Sequence, residues 1–572
     1  MAGDGASVEK PAIPVASTPT TKKPPPESAE SIRTRTCVIL TFWVVIIFLG
    51  LPIWWKTTSI YRARLPLHDM MEWADGKACR PVFPLKIAVE APWLQPSEAQ
   101  HLVRTTQHAL DDLNEFSAHH LRLQLADTET SNHSTQVYSS SSIVYSTEAQ
   151  EEGQDTTLMV KLLPVDDTST PRAALEAYNP VLNVLYSPNQ IPSSSASISP
   201  LASFIANQLQ KIFEEEQATI AYILSASNTG YIQTNQPPVS PELATALSRR
   251  STRALKYAPT YHLTISLFTP TYAPSSWDIE EIMQSTVNPL VSAFSSISNF
   301  TIDTQLQLYA SPSPSTPEPV FSEELQAFTL QQPSLSGFIN AAEWPLSPSI
   351  GSGPTINLVV YVPPPNLTPL TISPSNKTSW LIPQWGAVSI LNIPPHHPPH
   401  LDKADLLPPL QTLTTHLLTL LGLPSTPSSL PLRLSSLTRT HTLTLLLSSS
   451  STLGSLARLT QSLPSIPIPR TVAASVRSTL SHLSTTCSDL TAGRFRKALQ
   501  EAREAERESE SAFFEKSMVG QVYFPEEHKV AVYLPLLGPM GVPLCVALLK
   551  EVGRWVGGWR RGIKGGEKDK TA

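Results

Sequence analysis

Cysteine is scarce: 4 in 572 residues, too few for a disulfide framework to hold a chain of this length. Two of them, Cys37 and Cys545, fall at or in uncharged runs, which leaves Cys79 and Cys487 either to pair with each other or to stay free. Familiar catalytic signatures are missing too. There is no G-x-S-x-G, no P-loop, no G-x-G-x-x-G and no C-x-x-C, so the hydrolase elbow, the phosphate cradles and the dithiol redox pair have no support. A basic excess is also lacking. With 41 Lys+Arg against 47 Asp+Glu, nothing in the charge suits a nucleic acid.

Charge itself is absent from two stretches, and these organise the rest. Cys37–Trp55 reads CVILTFWVVIIFLGLPIWW, and Val530–Leu549 is also free of charged residues. At ~1.5 Å per residue, about 20 residues cross a ~30 Å hydrocarbon layer. Both stretches are expected to be transmembrane helices. PIWWKTT follows the first run where a small-residue cleavage site would stand, so a retained signal anchor is expected rather than a signal peptide. The second run contains Pro535, Gly538, Pro539, Gly541 and Pro543. Each proline removes a helix hydrogen bond that lipid cannot replace, and small residues admit a neighbouring helix. These five positions are candidates for packing inside the membrane, set against the alternative of a kinked anchor without a partner.

Lys550, Arg554, Arg560, Arg561 and Lys564 follow the second run, which places that end in the cytosol. Lys22, Lys23, Arg33 and Arg35 precede the first run and Lys56, Arg62 and Arg64 follow it, a weaker bias toward the same side. Residues 56–529 are then lumenal. That stretch holds the sequons at Asn132, Asn299, Asn366 and Asn376, candidates for glycosylation. Residues 1–36, rich in Pro, Thr, Ser, Ala and Lys, are expected to be a disordered cytosolic tail, and 550–572 a basic one.

The lumenal stretch alternates strand-like and helix-like runs without visible sequence repeats. Strands are expected at Leu85–Glu90, Leu158–Leu163, Val181–Tyr186, Tyr261–Phe268, Phe300–Tyr309, Ile356–Val362 and Ala387–Ile393. Helices are expected at Pro96 to about Ala126, Pro200–Glu216 and Ser276–Ser298, the last capped by Ser276. Asp127–Thr156 reads as a loop. The fold class is α/β: a mixed sheet flanked by helices, between two transmembrane helices, with a more helical Leu/Ser/Thr-rich part from about residue 400. Leu406, Leu410, Leu413, Leu417 and Leu420 form a core-facing stripe. The charged run Arg494–Glu510 reads as a solvated helix leading toward the membrane.

Little of this carries chemistry. His396, His397 and His400 lie in PPHHPPH, where prolines prevent a regular ligand spacing and no acid or cysteine cluster adjoins them, so a proline-rich loop is expected and no metal. Asp111 and Asp112 point to different faces of their helix. No catalytic residue and no cofactor are expected.

Several long segments resemble the PIG-S family: GLPIWWKTTSIYRARLP at Gly50–Pro66, LKYAPTYHLTISL at Leu255–Leu267, FINAAEWPL at Phe338–Leu346, WLIPQWGAVSILN at Trp380–Asn392, and SMVGQVYFPEEHKVAVYLPLLGPMGVPL at Ser517–Leu544. The resemblance implies a non-catalytic subunit of the GPI transamidase of the endoplasmic-reticulum membrane. It further implies PIG-K-like, PIG-T-like, PIG-U-like and Gaa-type partners, with the nucleophilic cysteine on the PIG-K-like chain. Membrane lipid is the remaining expected partner. The competing reading is a stand-alone lumenal receptor or adaptor anchored by two spans.

Overall fold

Long apolar runs and short alternating ones separate into two units in the computed structural model. One holds the chain through Arg62, Ser465–Pro467 and everything from Ser517; the other holds Ala63–Pro464 and Ile468–Lys516. The described residues are 28–58, 61–126, 156–165, 170–191, 199–226, 241–310, 317–338, 353–463, 466–518 and 527–566.

In the first unit α1 (Ala29–Val45) passes through a π turn at Ile46–Gly50 into α2 (Leu51–Thr58). The Ser28 hydroxyl accepts from the Ser31 N–H at 3.3 Å, a side-chain cap that starts the helix at Ala29. The expected tail to residue 36 is therefore too long, and residues 1–27 lie outside the described ones. Pro52 explains the π turn. It cannot donate, so the turn before it widens and the Leu51 N–H reaches the Ile46 carbonyl. Among the described residues one helix, Ala29–Lys56, is long and apolar enough to cross a membrane, with a mean hydropathy of 2.5 over its most apolar 18 residues. A C-terminal helix, Glu527–Gly566, runs unbroken through Pro535, Pro539 and Pro543.

The second unit begins with α3 (Leu67–Ala74) and then builds a five-stranded sheet. Its elements are β1 (Phe83–Glu90), α4 (Pro96–Leu113), β2 (His119–Leu125), β3 (Thr156–Pro164), β4 (Arg172–Leu175) and β5 (Val181–Tyr186). The order is β2-β1-β3-β5-β4, parallel except for β4, which runs antiparallel to β5. The helix expected to reach Ala126 stops at Leu113. Leu121, Leu123 and Leu125 alternate at period two, and β2 pairs in register with β1 from Phe83–His119 to Val89–Leu125. Asn114 makes the break: its side chain accepts from the Phe116 N–H and donates to the His119 carbonyl. After β5 come α5 (Pro200–Ala226), ten residues longer than expected, and α6 (Pro241–Arg253).

The chain then repeats the same topology. The elements are β6 (Thr260–Thr269), β7 (Ser276–Trp277), α7 (Ile279–Ile282), α8 (Asn288–Ala293), β8 (Asn299–Leu308), β9 (Val320–Ser322), β10 (Ala327–Leu330), β11 (Thr355–Tyr361), β12 (Leu370–Ile372), β13 (Ser379–Ile382) and β14 (Gly386–Ile390). The second sheet has the order β8-β6-β11-β14-β13, again with only the outermost strand, β13, antiparallel. In each sheet the chain visits positions in the order second, first, third, fifth, fourth, with helices joining the first two strands. Sequence repeats do not reveal this, because topology constrains only where apolar residues alternate.

Ser276 does not cap a helix. It pairs with His400 in a two-residue ladder with β15 (His400–Leu401), and the helix starts at Ile279. That helix also contains a π turn, Met283–Val287, whose Asn288 N–H reaches the Met283 carbonyl just before Pro289, the same device as at Pro52. One face of the second sheet, including Leu263, Ile265, Leu358 and Val360, packs on Ile282, Phe294 and the leucines of α9 (Lys403–Leu420). The other, with Phe268, Val359, Tyr361 and Val388, is covered by Leu330, Leu370 and Ile372 of a small sheet ordered β12-β10-β9.

All five leucines of the α9 stripe are buried, each worth about 2 kcal/mol relative to exposure. Beyond it lie α10 (Leu430–Ser462), α11 (Arg470–Thr491) and α12 (Phe495–Phe513). The Ser/Thr content of α10 is compatible with burial because its hydroxyls bond back along the helix: Thr438 to Leu434, Thr442 to Thr438, Ser449 to Leu445 and Ser450 to Leu446. α11 and α12 form a hairpin at Gly493, whose φ of 75° lets the Arg494 N–H close on the Asp489 carbonyl. α12 corrects the expectation of a solvated helix. Phe495, Ala498, Leu499, Ala502, Ala505, Ser509 and Ala512 are buried at helical spacing, and its small side chains let it lie against α10 and α11. Cys79 and Cys487 form a disulfide with a Cα–Cα distance of 6.2 Å, which decides between the two readings of that pair.

Candidate functional site: a joined helix pair and exposed sequons

The paired helices of the first unit carry most of the exposed apolar surface. Along the N-terminal helix Val38, Phe48, Leu49, Ile53 and Trp55 are exposed, and along the C-terminal one Leu534, Leu537, Met540 and Leu549 are. The five sequence-predicted packing positions all lie on the C-terminal helix. Pro535, Pro539 and Pro543 recur every four residues, so the donors that the carbonyls of Ala531, Pro535 and Pro539 would use are missing along one side. A Cβ added at Gly538 or Gly541 would meet nothing within 4 Å. Gly538 and Gly541 leave room for a neighbour, about 60° and 120° around the helix from Pro535.

A polar cluster ties the two helices together. Glu551, 7% exposed, accepts from Arg35 Nε at 3.1 Å, Thr36 Oγ1 at 3.2 Å and Arg554 Nη1 at 3.1 Å. Arg35 just precedes the first uncharged run and Glu551 just follows the second. The two helices thus meet where the first uncharged run begins and the second ends. The sequence reading weighed Arg35 and Arg554 only as orientation signals and passed over Glu551, the lone acid in KEVGRW.

In the second unit the histidines of PPHHPPH diverge: His397 Nε2 lies 3.1 Å from Asp405, while His400 Nε2 lies 3.2 Å from Asp278. Asp111 and Asp112 are both exposed. Two hydroxyl–imidazole–carboxylate rows went unnoticed because strand register assembles them. Thr301 and Asp303 flank His262 at 2.8 and 3.0 Å, and Ser276 and Asp278 flank His400 at 2.9 and 3.2 Å. Their carboxylates are 59% and 46% exposed, so water screens the charge that would have to stabilise an imidazolium. His262 is itself buried, but its carboxylate partner stands at the surface, and the His400 row is exposed throughout. Among the described residues the strongly perturbed carboxyl is Glu216, buried between Arg439 and His119. Burial alone would raise it, but the Arg439 guanidinium and the nearby His119 ring hold it well below the usual carboxylate range.

Three sequons are presented on the surface. Asn299 opens the edge strand β8, Asn366 lies in the turn Pro365–Leu367, and Asn376 takes a positive φ of 53° between β12 and β13; all three are exposed. Asn132 lies outside the described residues, as does Trp344, while Trp380 and Trp385 pack partly buried on the second sheet.

Fold and site define a membrane-associated α/β protein with duplicated sheets and an exposed apolar helix pair. The family PIG-S, Phosphatidylinositol-glycan biosynthesis class S protein, matches residues 41–558; the chain belongs to that family. It is 28% identical over 532 residues to the "GPI transamidase component PIG-S homolog" of Schizosaccharomyces pombe, covering 90% of this chain and 83% of that protein. It is 25% identical over 554 residues to the "GPI-anchor transamidase component PIGS" of Homo sapiens, covering 91% and 96%. To the "GPI transamidase component GPI17" of Saccharomyces cerevisiae it is 25% identical over 538 residues, covering 88% and 90%.

Proposed function

We propose that this protein is a non-catalytic component of the GPI transamidase of the endoplasmic-reticulum membrane, joining other subunits through its two apolar helices and its lumenal face. The observation that carries the reading is the family match, which extends from within the first apolar run to beyond the second. In this reading Cys37–Trp55 and Val530–Leu549 both span the bilayer, residues 56–529 face the lumen, and both ends face the cytosol. The Arg35–Glu551 contact supports it, since a two-span hairpin brings those two ends to one side. The Cys79–Cys487 disulfide fits an oxidising lumen. The catalytic cysteine belongs to another chain, of the PIG-K type, and PIG-T-like, PIG-U-like and Gaa-type chains are the other partners. Asn299, Asn366 and Asn376 are glycan acceptors on the lumenal face.

The C-terminal helix, with open space at Gly538 and Gly541 and carbonyls left without donors by three prolines, is the element that meets a neighbouring subunit's helix. Affinity purification in mild detergent tests the whole. PIG-K-like and PIG-T-like chains should co-purify in near-stoichiometric amounts, and their absence overturns the proposal.

A further inference from the structure

The C-terminal helix does not end where the uncharged run ends. It continues from Lys550 to Gly566, and this extension has two unlike sides. Val552, Trp555, Val556 and Trp559 are 51%, 72%, 46% and 75% exposed. With Ile563 they recur at three, one, three and four residues, a single narrow stripe at 3.6 residues per turn. On the same wheel Lys550, Arg554, Arg561 and Lys564 fall opposite the stripe and Arg560 at its flank.

Water is a poor environment for two largely exposed tryptophans, and no described side chain covers them. The headgroup layer is only about 6 Å deep on each side of the hydrocarbon. On a helix standing along the membrane normal, at ~1.5 Å per residue, Trp559 would sit roughly 14 Å beyond Lys550 and Ile563 roughly 20 Å beyond. Both would stand clear of the lipid. Gly553 and the pair Gly557-Gly558 interrupt the extension with residues that allow a helix to bend, and a Cβ added at Gly553 would meet nothing within 4 Å.

We infer that residues 550–564 bend over and lie on an anionic lipid surface, with the Trp555–Trp559 stripe among the headgroups and the basic side facing the cytosolic water and the lipid phosphates. The chemistry is that of an interfacial amphipathic helix, apolar and aromatic on one side and Lys/Arg-rich on the other. Its attachment to the preceding span holds it at the surface, so even modest affinity suffices. Each basic residue near an anionic surface is worth about fivefold in partitioning. This proposal rests on the reading of Val530–Leu549 as a span.

The test uses the full chain in nanodiscs, with Cys37→Ser and Cys545→Ser removing the two free thiols and a solvent-sensitive dye on one introduced cysteine. Gly541→Cys reports the span, Ile563→Cys the stripe and Arg561→Cys the opposite side. Brominated lipid supplies the quencher. In discs of phosphatidylcholine with phosphatidylserine, the Ile563→Cys dye should be quenched at least about twofold more than the Arg561→Cys dye. Phosphatidylcholine alone should weaken that difference, and Trp555→Ser with Trp559→Ser should abolish it.

Equal, weak quenching at Ile563→Cys and Arg561→Cys, with Gly541→Cys strongly quenched, overturns the surface helix and leaves the span standing. An unquenched Gly541→Cys dye removes the span itself, and the surface helix with it. Equal quenching of the Ile563→Cys dye in both lipid mixtures overturns the assignment to anionic lipid.

Discussion

Arg439 of α10 grips Glu216 of α5 with two parallel hydrogen bonds, Nε–Oε1 at 2.5 Å and Nη2–Oε2 at 2.6 Å, in a site where the two side chains are 1% and 4% exposed. The guanidinium also lies 5.2 Å over the Phe495 ring of α12. One ion pair thus ties the helices of the first sheet to the helical part of the chain. Both charges are desolvated, so removing one strands the other. Arg439→Met should destabilise the protein by about 3–5 kcal/mol, read as a lower denaturation midpoint. Adding Glu216→Leu to Arg439→Met should recover part of that loss. A double variant at least as unstable as the single one would mean that the pair is not the source of the effect.

The Cys79–Cys487 disulfide closes a loop with a sequence separation of 408, anchoring the segment between α3 and β1 to α11. Cross-linking so distant a pair removes chain entropy from the unfolded state, and its loss costs about 2–5 kcal/mol. Non-reducing peptide mapping should recover the two cysteines in one linked pair. Cys79→Ala with Cys487→Ala should denature earlier than the native protein and no longer respond to reductant.

His441 of α10 is half-buried against Tyr257, with ring centroids 5.0 Å apart. Burial, aided by the positive charges of Arg503 and Arg250, pushes its pKa down to about 4. The unfolded chain has an ordinary histidine of about 6.5. Between these values the unfolded state binds a proton that the folded state refuses, so stability falls as pH drops from about 6.5 to about 4, by up to roughly 3 kcal/mol. His416 and His120, both lowered by burial first, add losses of the same sign. Glu216 adds another only below the ordinary carboxylate range, where its depressed pKa makes the unfolded state take the proton first. His441→Leu should flatten the upper part of this slope in denaturation curves recorded at several pH values. An unchanged slope would assign it elsewhere.

What the sequence made legible follows from how each feature is encoded. The strands Val181–Tyr186 and Ile356–Val362 and the α9 stripe are local patterns of apolar residues, and the structure has β5, β11 and α9 in those places. β2 was lost to the helix before it because HLRLQL continues a run without proline or glycine, and only pairing with β1 makes it a strand. The Ser/Thr-rich α10 looks half polar until its hydroxyls are seen to bond to their own helix. Glu216 and Arg439 are 223 residues apart, and the duplicated topology is a property of chain path. The candidate site divides the same way. Pro535 to Pro543 stood out by composition, whereas Glu551 gains its meaning from Arg35, a residue 516 positions earlier.

Close packing at Gly386 gives a sharper test of the second sheet. Gly386 pairs with Asn357 at the start of β14, and a Cβ there would lie 1.8 Å from the Asn357 carbonyl oxygen. That oxygen belongs to the backbone of a central strand and cannot move aside. Gly386→Ala should force β14 away from β11 and cost more than about 2 kcal/mol, read as a marked loss of monodisperse protein. Trp385→Ala, one residue earlier and on a half-buried side chain, should be milder.

The helix pair offers the most direct test of topology. Thr36 Oγ1 lies 3.2 Å from Glu551 Oε2, a contact reached through the full length of the glutamate side chain, so a short bifunctional reagent rather than a direct disulfide suits cysteines at the two positions. Thr36→Cys with Glu551→Cys, in a background lacking Cys37 and Cys545, should be joined within one chain by a short bis-maleimide and yield a linked peptide pair on digestion. Glu551→Ala removes an acceptor that Arg35, Thr36 and Arg554 share, leaves two arginines close together, and should loosen the pair by about 1–3 kcal/mol. Exchanging the charges, Arg35→Glu with Glu551→Arg, should restore much of the loss if the contact is what joins the helices. Absence of the cross-link while the Cys79–Cys487 disulfide stays intact would break the helix pair, and with it the proposal that both ends of this chain lie on one side of the membrane.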